Sequence, residues 1–388
     1  MTVFGTVAPG FESIRDAFEA GQSIDAGGAQ LVAYQHGVKV VDLWTGDDPV
    51  RGKPFDGDDF ILCMSVTKGL TTTVAHRLIE RGILSINAPV CKYWPEFAQN
   101  GKENITVQMI LNHTSGCSTW PLEADISFTN MVDWNRMIHA LEKMAPFWEP
   151  GTAVLYAAWT YGLLIGEVIQ RATGKTVGTI FREEIAEPLG LNLWIGLPED
   201  QEPHVIPWMP KTPPKLALGE NNAVADNLAP HVDWSNPLIA SYISWLDSPG
   251  LFTFVNSREA HAAELPSLNV IGDARSLAKL YANIIGEVVG KPPLLQPDTL
   301  ERAIAPETET MAVAGPLQGV FEPGRFQFGL GYERSRAGSP MLGEGASGIV
   351  DLAVVLVLRM SSLASQWVTS ATTMCGPEQL PIQGGCHG

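Results

Sequence analysis

Phe60-Ile61-Leu62-Cys63-Met64-Ser65-Val66-Thr67-Lys68-Gly69-Leu70 is the stretch whose reading decides the fold of this 388-residue chain. Five apolar residues lead into Ser65, and Lys68 follows three positions later. Residues 71–82 then read as a helix that stops at Gly82. If Ser65 opens that helix, Lys68 lies on the same face, roughly 5–6 Å away between Cβ atoms. A serine hydroxyl is a weak nucleophile near neutral pH and needs a base beside it. A lysine serves as that base only if its pKa falls from about 10.4 towards 7–8, through burial or nearby positive charge. That shift costs roughly 4 kcal/mol, so the pair needs an environment built around it. The positive end of the helix would favour negative charge on Ser65 Oγ.

The spacing alone is not decisive. Ser-x-x-Lys occurs by chance on the order of once in a chain of this length. Ser276-Leu277-Ala278-Lys279 also fits, but it follows Asp273, an N-cap residue, and runs into an ordinary amphipathic helix. Ser65 differs because an apolar segment precedes it and a helix begins at it.

Composition narrows the classes. With 45% hydrophobic residues and a mean hydropathy of +0.06, the chain can bury a large core in one two-part unit or two domains. A net charge of −17 argues against nucleic acid and anionic lipid as partners. The longest apolar run, 349–358, contains Asp351 and is too short to span a bilayer. The first residues have neither a basic start nor a long apolar stretch, so a cytoplasmic protein is expected. Cysteines 63, 91, 117, 375 and 386 match no zinc or disulfide spacing and read as free thiols. No metal or cofactor is called for: HExxH, Walker and GxGxxG patterns are missing, and so is the GxSxG elbow of α/β-hydrolases.

In chain order, residues 9–21 read as an opening helix, and 28–35 with 38–44 as a hairpin turning at His36-Gly37. Residues 106–116 form a short helix capped by Thr106 and stopped by Gly116, with His113 and Ser115 read as polar groups of a helix end. Helices follow at 133–144, 161–173, 176–187, 273–290 and 296–305. The Pro- and Asn-rich stretch 198–237 reads as a lid or binding loop. Strand character returns at 326–333, 340–344 and 351–358, and residues 362–374 read as a closing helix. The expected fold is α/β (α+β): an antiparallel sheet flanked by helices, with an inserted helical domain. The expected division is 1–85 plus 290–374 as the sheet domain, 86–289 as the mainly helical domain, and 375–388 as a loose tail.

Taken together, Ser65-Val66-Thr67-Lys68, Tyr156-Ala157-Ala158, Leu111-Asn112-His113-Thr114-Ser115-Gly116, Pro150-Gly151-Thr152 and Glu187-Pro188-Leu189-Gly190-Leu191 follow a familiar order. In that order the chain resembles the serine β-lactamase and penicillin-binding protein superfamily, and most of all the class C β-lactamase-like (family VIII) carboxylesterases. The resemblance implies a β-lactamase/transpeptidase-like fold and a catalytic set of Ser65, Lys68 and Tyr156. Tyr156 would carry a proton between the serine and the leaving group, its own pKa lowered beside Lys68. Two departures stand out. The family's Asn two residues after the Tyr is Ala158 here, which favours esters over β-lactams. The third motif best fits Gly343-Glu344-Gly345-Ala346-Ser347-Gly348, with Glu344 where a basic, His or Trp residue is usual. The oxyanion donors implied are Ser65 and this segment, Gly345, Ala346 and Ser347. Losing one such donor typically costs about 3–4 kcal/mol.

The activity expected is hydrolysis of a small carboxylic ester through an acyl-enzyme on Ser65. The alternatives are acyl transfer from the same intermediate, or a binding protein impaired at the third motif. Trp120, Trp159, Trp208 and Trp234 are candidates for an apolar substrate pocket.

Overall fold

The computed structural model describes residues 2–24, 28–48, 51–208, 233, 235–244, 250–318, 324, 326–333, 353–359 and 373–375. Its main sheet has five antiparallel strands in the order β1-β3-β2-β9-β10, drawn from both ends of the chain. They are β1 (Phe4–Val7), β2 (Ala29–Gln35), β3 (Val38–Thr45), β9 (Ala353–Arg359) and β10 (Thr373–Cys375). The pairing of β2 with β9 sets Ala29 opposite Arg359 and Gln35 opposite Ala353. Alternation along β2 and β3 explains why the sheet is covered on both sides. Leu31, Ala33, Val41 and Leu43 pack with Phe18 of α1 (Glu12–Ile24), while Val32 and Tyr34 join the large core on the other face. A two-residue ladder, β4 (Asp47–Asp48) with β5 (Lys53–Pro54), leads on to a second sheet.

That second sheet sets up the site. It runs β6-β8-β7, from β6 (Ile61–Leu62), β7 (Leu193–Ile195) and β8 (Val270–Gly272). β6 leads into α2 (Val66–Glu80), and Val270 grips the junction from both directions. Its carbonyl accepts Cys63 N–H at 2.8 Å, and its own N–H donates to Thr67 Oγ1 at 2.8 Å.

Helix α2 is buried almost all round, including Thr71, Thr72 and Thr73, which have modest helix propensity. Tertiary partners hold them. Thr71 donates to the Pro266 carbonyl at 2.7 Å and Thr72 to the Gly331 carbonyl at 3.1 Å. Thr73 meets Tyr332 Oη at 2.9 Å. Leu70 in the same helix is 0% exposed, a burial worth about 1.5–3 kcal/mol. α5 (Thr160–Thr173) packs on α2, and α3 (Val107–Leu111) and α4 (Trp134–Lys143) pack on α5. Asp133 and Thr106 cap α4 and α3 through their side chains, as their positions predict.

One element is new and three sequence expectations are corrected. The edge strand β1 has no sequence signal of its own and exists through its register with β3, Phe4 opposite Trp44. The helix expected over 273–290 is Ala274–Ile285; Gly286 is extended, and the chain turns back so that Val288 bridges Lys291. Residues 326–333 form a bridged turn, Phe328 opposite Glu333, because Thr72 and His76 of α2 take the carbonyls of Gly331 and Leu330. At the end of the expected closing helix, Thr373–Cys375 pairs instead with Val-rich β9, so Cys375 belongs to the sheet. Residues 340–344, 362–372 and 376–388 lie outside the described residues.

Candidate active site

The turn from β6 into α2 presents Ser65. Met64 takes the left-handed conformation, φ 46°, which costs a non-glycine residue about 1–2 kcal/mol. Ser65 occupies the N-cap of α2 with helical dihedrals and makes no side-chain capping bond. Its Oγ faces Lys68 instead, at 3.1 Å from Nζ.

Lys68 is 5% exposed. Its Nζ also donates to the Ala158 carbonyl at 2.7 Å and the Ser267 carbonyl at 2.9 Å. Burial pushes its pKa well below the ordinary lysine value, with the Glu333 carboxylate opposing. A neutral amine has two N–H groups and one lone pair. With the amine neutral, the two carbonyls would take its N–H groups and leave the lone pair for the serine hydroxyl.

The Ser267 carbonyl is itself fixed. Ser267 Oγ accepts the Gly162 N–H at 2.6 Å, and the neighbouring Pro266 carbonyl takes Thr71. A Cβ on Gly162 would come within 2.3 Å of the Pro266 carbonyl carbon, so only glycine lets α5 approach this closely. Gly69 beside Lys68 has the same role, since a Cβ there would meet Tyr281 Oη at 2.0 Å.

Tyr156 completes the group. Its ring lies 4.9 Å from Lys68 Nζ and stacks on Phe328 at 6.0 Å. Burial raises the phenol's pKa, and a hydrogen bond with Ser65 works the other way. The lowered value expected beside a cationic lysine is therefore overturned: burial of the phenol outweighs the hydrogen bond with Ser65.

The structure thus brings Ser65, Lys68 and Tyr156 together. Trp159 lies at the start of α5, 8% exposed, edge-on to Phe128 at 5.7 Å. Trp208 braces the floor of the site, donating Nε1–H to the Leu62 carbonyl at 2.8 Å. Trp120 is 1% exposed within the core, where its carbonyl accepts Ser241 Oγ, and is not a pocket wall. Trp234, Glu344 and the oxyanion segment Gly345, Ala346 and Ser347 lie outside the described residues. The carbonyls of Ala158 and Ser267 escaped sequence reading because a backbone acceptor has no side-chain signature. His113 is more than a helix end. Its ring packs 5.3 Å from Tyr156, and its Nδ1 accepts the Ala157 N–H at 3.0 Å. The Leu111–Gly116 motif was the one available signal for it. Among the described residues no acidic, His or Cys cluster could hold a metal, and no helix is long and apolar enough to cross a membrane.

The chain is similar to several known proteins. "Esterase/beta-lactamase LipL" of Mycobacterium tuberculosis is 32% identical over 296 residues, 74% of this chain and 66% of that protein. "Esterase EstB" of Burkholderia gladioli is 28% identical over 183 residues, 42% of this chain and 45% of that protein. The chain thus aligns with less than two thirds of the length of these curated relatives. Among solved structures, a family VIII carboxylesterase matches with TM-score 0.72 and 29% identity over 87% of this chain and 84% of that one. EstA from Arthrobacter nitroguajacolicus Rue61a matches with TM-score 0.75 and 27% identity over 93% of both chains. Both matches carry the β-lactamase/transpeptidase-like fold. The Beta-lactamase family model covers residues 14–360, from α1 through β9, and on that span the chain belongs to the Beta-lactamase family.

Proposed function

We propose that the protein is a carboxylesterase that cleaves small esters through an acyl-enzyme on Ser65. The observation that carries this reading is the Lys68 amine, buried, with two backbone carbonyls as acceptors and Ser65 Oγ as its third neighbour at 3.1 Å. Lys68 takes the proton from Ser65 as Oγ bonds to the ester carbonyl carbon. The negative oxygen that forms is held by the Ser65 N–H at the mouth of α2, with a second donor expected from residues 345–347. Tyr156, neutral because its pKa is raised, passes a proton to the departing alkoxide and takes one back from the Lys68 ammonium, so that Lys68 is again the neutral base. Water then attacks the acyl carbon, its proton moves to the same base, and Oγ leaves as the serine hydroxyl.

Ala158 supports esters over β-lactams. It offers a methyl group where the resemblance to β-lactamases implies an Asn, and its carbonyl accepts Lys68 Nζ. The bond to be cleaved, rather than the acyl side chain, is then what the site recognises. Hydrolysis of p-nitrophenyl butyrate by the wild type and by Ser65→Ala tests the proposal. A loss of about 10⁴-fold or more in kcat is expected; equal rates would end it.

Glu344, at the position usual for a basic, His or Trp residue, supports a second reading: a binding protein of this family with weak chemistry. A fluorophosphonate probe separates the two, since an enzyme is labelled at Ser65 and a protein with no activated serine is not. Added short alcohols distinguish hydrolysis from acyl transfer by the ester product that forms.

A further inference from the structure

The peptide unit between Tyr156 and Ala157 is held at both ends by side chains far away in sequence. Its N–H donates to His113 Nδ1 at 3.0 Å. Its carbonyl accepts the Tyr242 hydroxyl at 3.0 Å and the Ala158 N–H at 3.0 Å. One residue on, the Ala158 carbonyl accepts Lys68 Nζ at 2.7 Å. A single short segment therefore carries the phenol of Tyr156 at one end and an acceptor of Lys68 at the other. Rotation of that peptide plane would move both.

We propose that His113 and Tyr242 are positioning residues that lock the Tyr156–Ala157 peptide, and through it set the phenol of Tyr156 and the lone pair of Lys68 towards Ser65. The inference rests on the esterase reading of Ser65 given above. His113 is built for the task. It is 2% exposed, with its ring 4.1 Å from that of Phe328 and 4.8 Å from that of Tyr161. Its backbone takes φ 62°, and its carbonyl accepts the Leu155 N–H at 3.3 Å, so main chain and side chain grip the same segment. An Nδ1 that accepts carries no proton, which places the ring proton on Nε2. Burial lowers the imidazole's pKa, which favours the neutral ring and leaves the acceptor available. Neither residue touches the reacting atoms in this scheme. Their effect should fall on kcat, because misplacing catalytic groups by about 1 Å costs on the order of 10²-fold in rate.

The test compares His113→Leu, His113→Asn, Tyr242→Phe and Ser65→Ala for kcat and KM on p-nitrophenyl butyrate, with thermal unfolding of each. Leucine removes the acceptor, whereas asparagine places Oδ1 near the position of Nδ1. His113→Leu is expected to lose about 10²-fold in kcat with KM within about twofold. His113→Asn should recover to within about tenfold of wild type, and Tyr242→Phe should lose about five- to tenfold. A folded His113→Leu with wild-type kcat, or His113→Asn no better than His113→Leu, overturns the inference. Should His113→Leu fail to fold, Tyr242→Phe decides: an unchanged kcat overturns the proposal, and a lowered kcat at unchanged KM and melting temperature upholds it. Ser65→Ala keeps the two claims apart. If that variant retains wild-type rates, the esterase reading itself falls. If it is inactive while His113→Leu is unaffected, only the positioning role is lost.

Discussion

Among the described residues two lysines are buried, and the contrast between them shows what would make one of them a base. Lys102 is 0% exposed and Lys68 is 5% exposed. Each Nζ has three neighbours. Those of Lys102 are the carbonyls of Gln99 and Glu142, both at 2.9 Å, and of Met144. Three carbonyls match the three N–H groups of an ammonium, and two of them belong to the C-terminal end of α4, where a positive charge is favoured. Burial lowers the pKa of Lys102, but Cys117, Glu103 and Glu142 oppose it. Lys68 has two carbonyls and one hydroxyl, and only Glu333 pulls its pKa upward. Burial makes both amines unusual. The identity of the third neighbour decides which one works with a lone pair.

Exchanging each lysine for methionine should separate the roles. Lys68→Met is expected to lower kcat/KM by about 10³–10⁴-fold, because base and proton relay go together. Its stability should change little, because the two carbonyls left without a donor offset the removal of a titration penalty. Lys68 is neutral in the fold over a pH range where the unfolded chain binds a proton, so at neutral pH it favours the unfolded state. That penalty deepens as pH falls from about 10.5 to the lowered folded value, and methionine removes it. Lys102→Met should do the reverse. It leaves three carbonyls without their donor and should cost about 3 kcal/mol in chemical denaturation, with near-normal activity per folded molecule. A Lys102→Met protein that melts like wild type would break the comparison.

The pH profile sharpens it further. Lys68 must be neutral to act, so kcat/KM should fall as pH drops through its lowered pKa, well below the ordinary lysine value. A rate that rises only near the ordinary lysine value would show that Lys68 is charged in the working range. His113 adds an acid effect on stability. Its folded pKa lies well below 6.5, so the unfolded state takes up the extra proton first and stability declines as pH falls below about 6.5. Unfolding midpoints at pH 7 and pH 5 for wild type and His113→Asn measure that contribution, and a smaller acid loss is expected in the variant.

The smallest effect expected is at Met64. Its φ of 46° is strained for methionine and free for glycine, so Met64→Gly should stabilise by about 0.5–1 kcal/mol before any loss from the missing side chain. A clear destabilisation would mean that Met64 side-chain packing outweighs the backbone strain.

Much was legible without coordinates. The hairpin at His36-Gly37, the caps at Thr106, Asp133 and Asp273, and the glycine stop after α5 follow from local chemistry that a few neighbouring residues express. β1 was invisible, because a four-residue edge strand exists only through its partner. The helix over 274–285 was drawn too long because its hydrophobic pattern continues past Gly286, where the backbone turns extended. Ser276-x-x-Lys279 satisfies the same spacing as Ser65-x-x-Lys68, yet Lys279 donates to the Leu189 carbonyl and Ser276 Oγ accepts the Asn192 N–H. Spacing could not tell the two apart, but their surroundings do.

Taken alone, the order of residues determined that Ser65 opens a helix with Lys68 one turn on, and that Tyr156 belongs to the same set, since sequence separation along a helix and recurrent motifs are properties of the chain itself. Tertiary structure decided the proton. Which carbonyls reach Nζ, how dry that nitrogen is, and whether the Tyr156 phenol keeps its hydrogen depend on segments around residues 113, 158, 242 and 267. The folded backbone brings those segments to one point, and their polar atoms act through space.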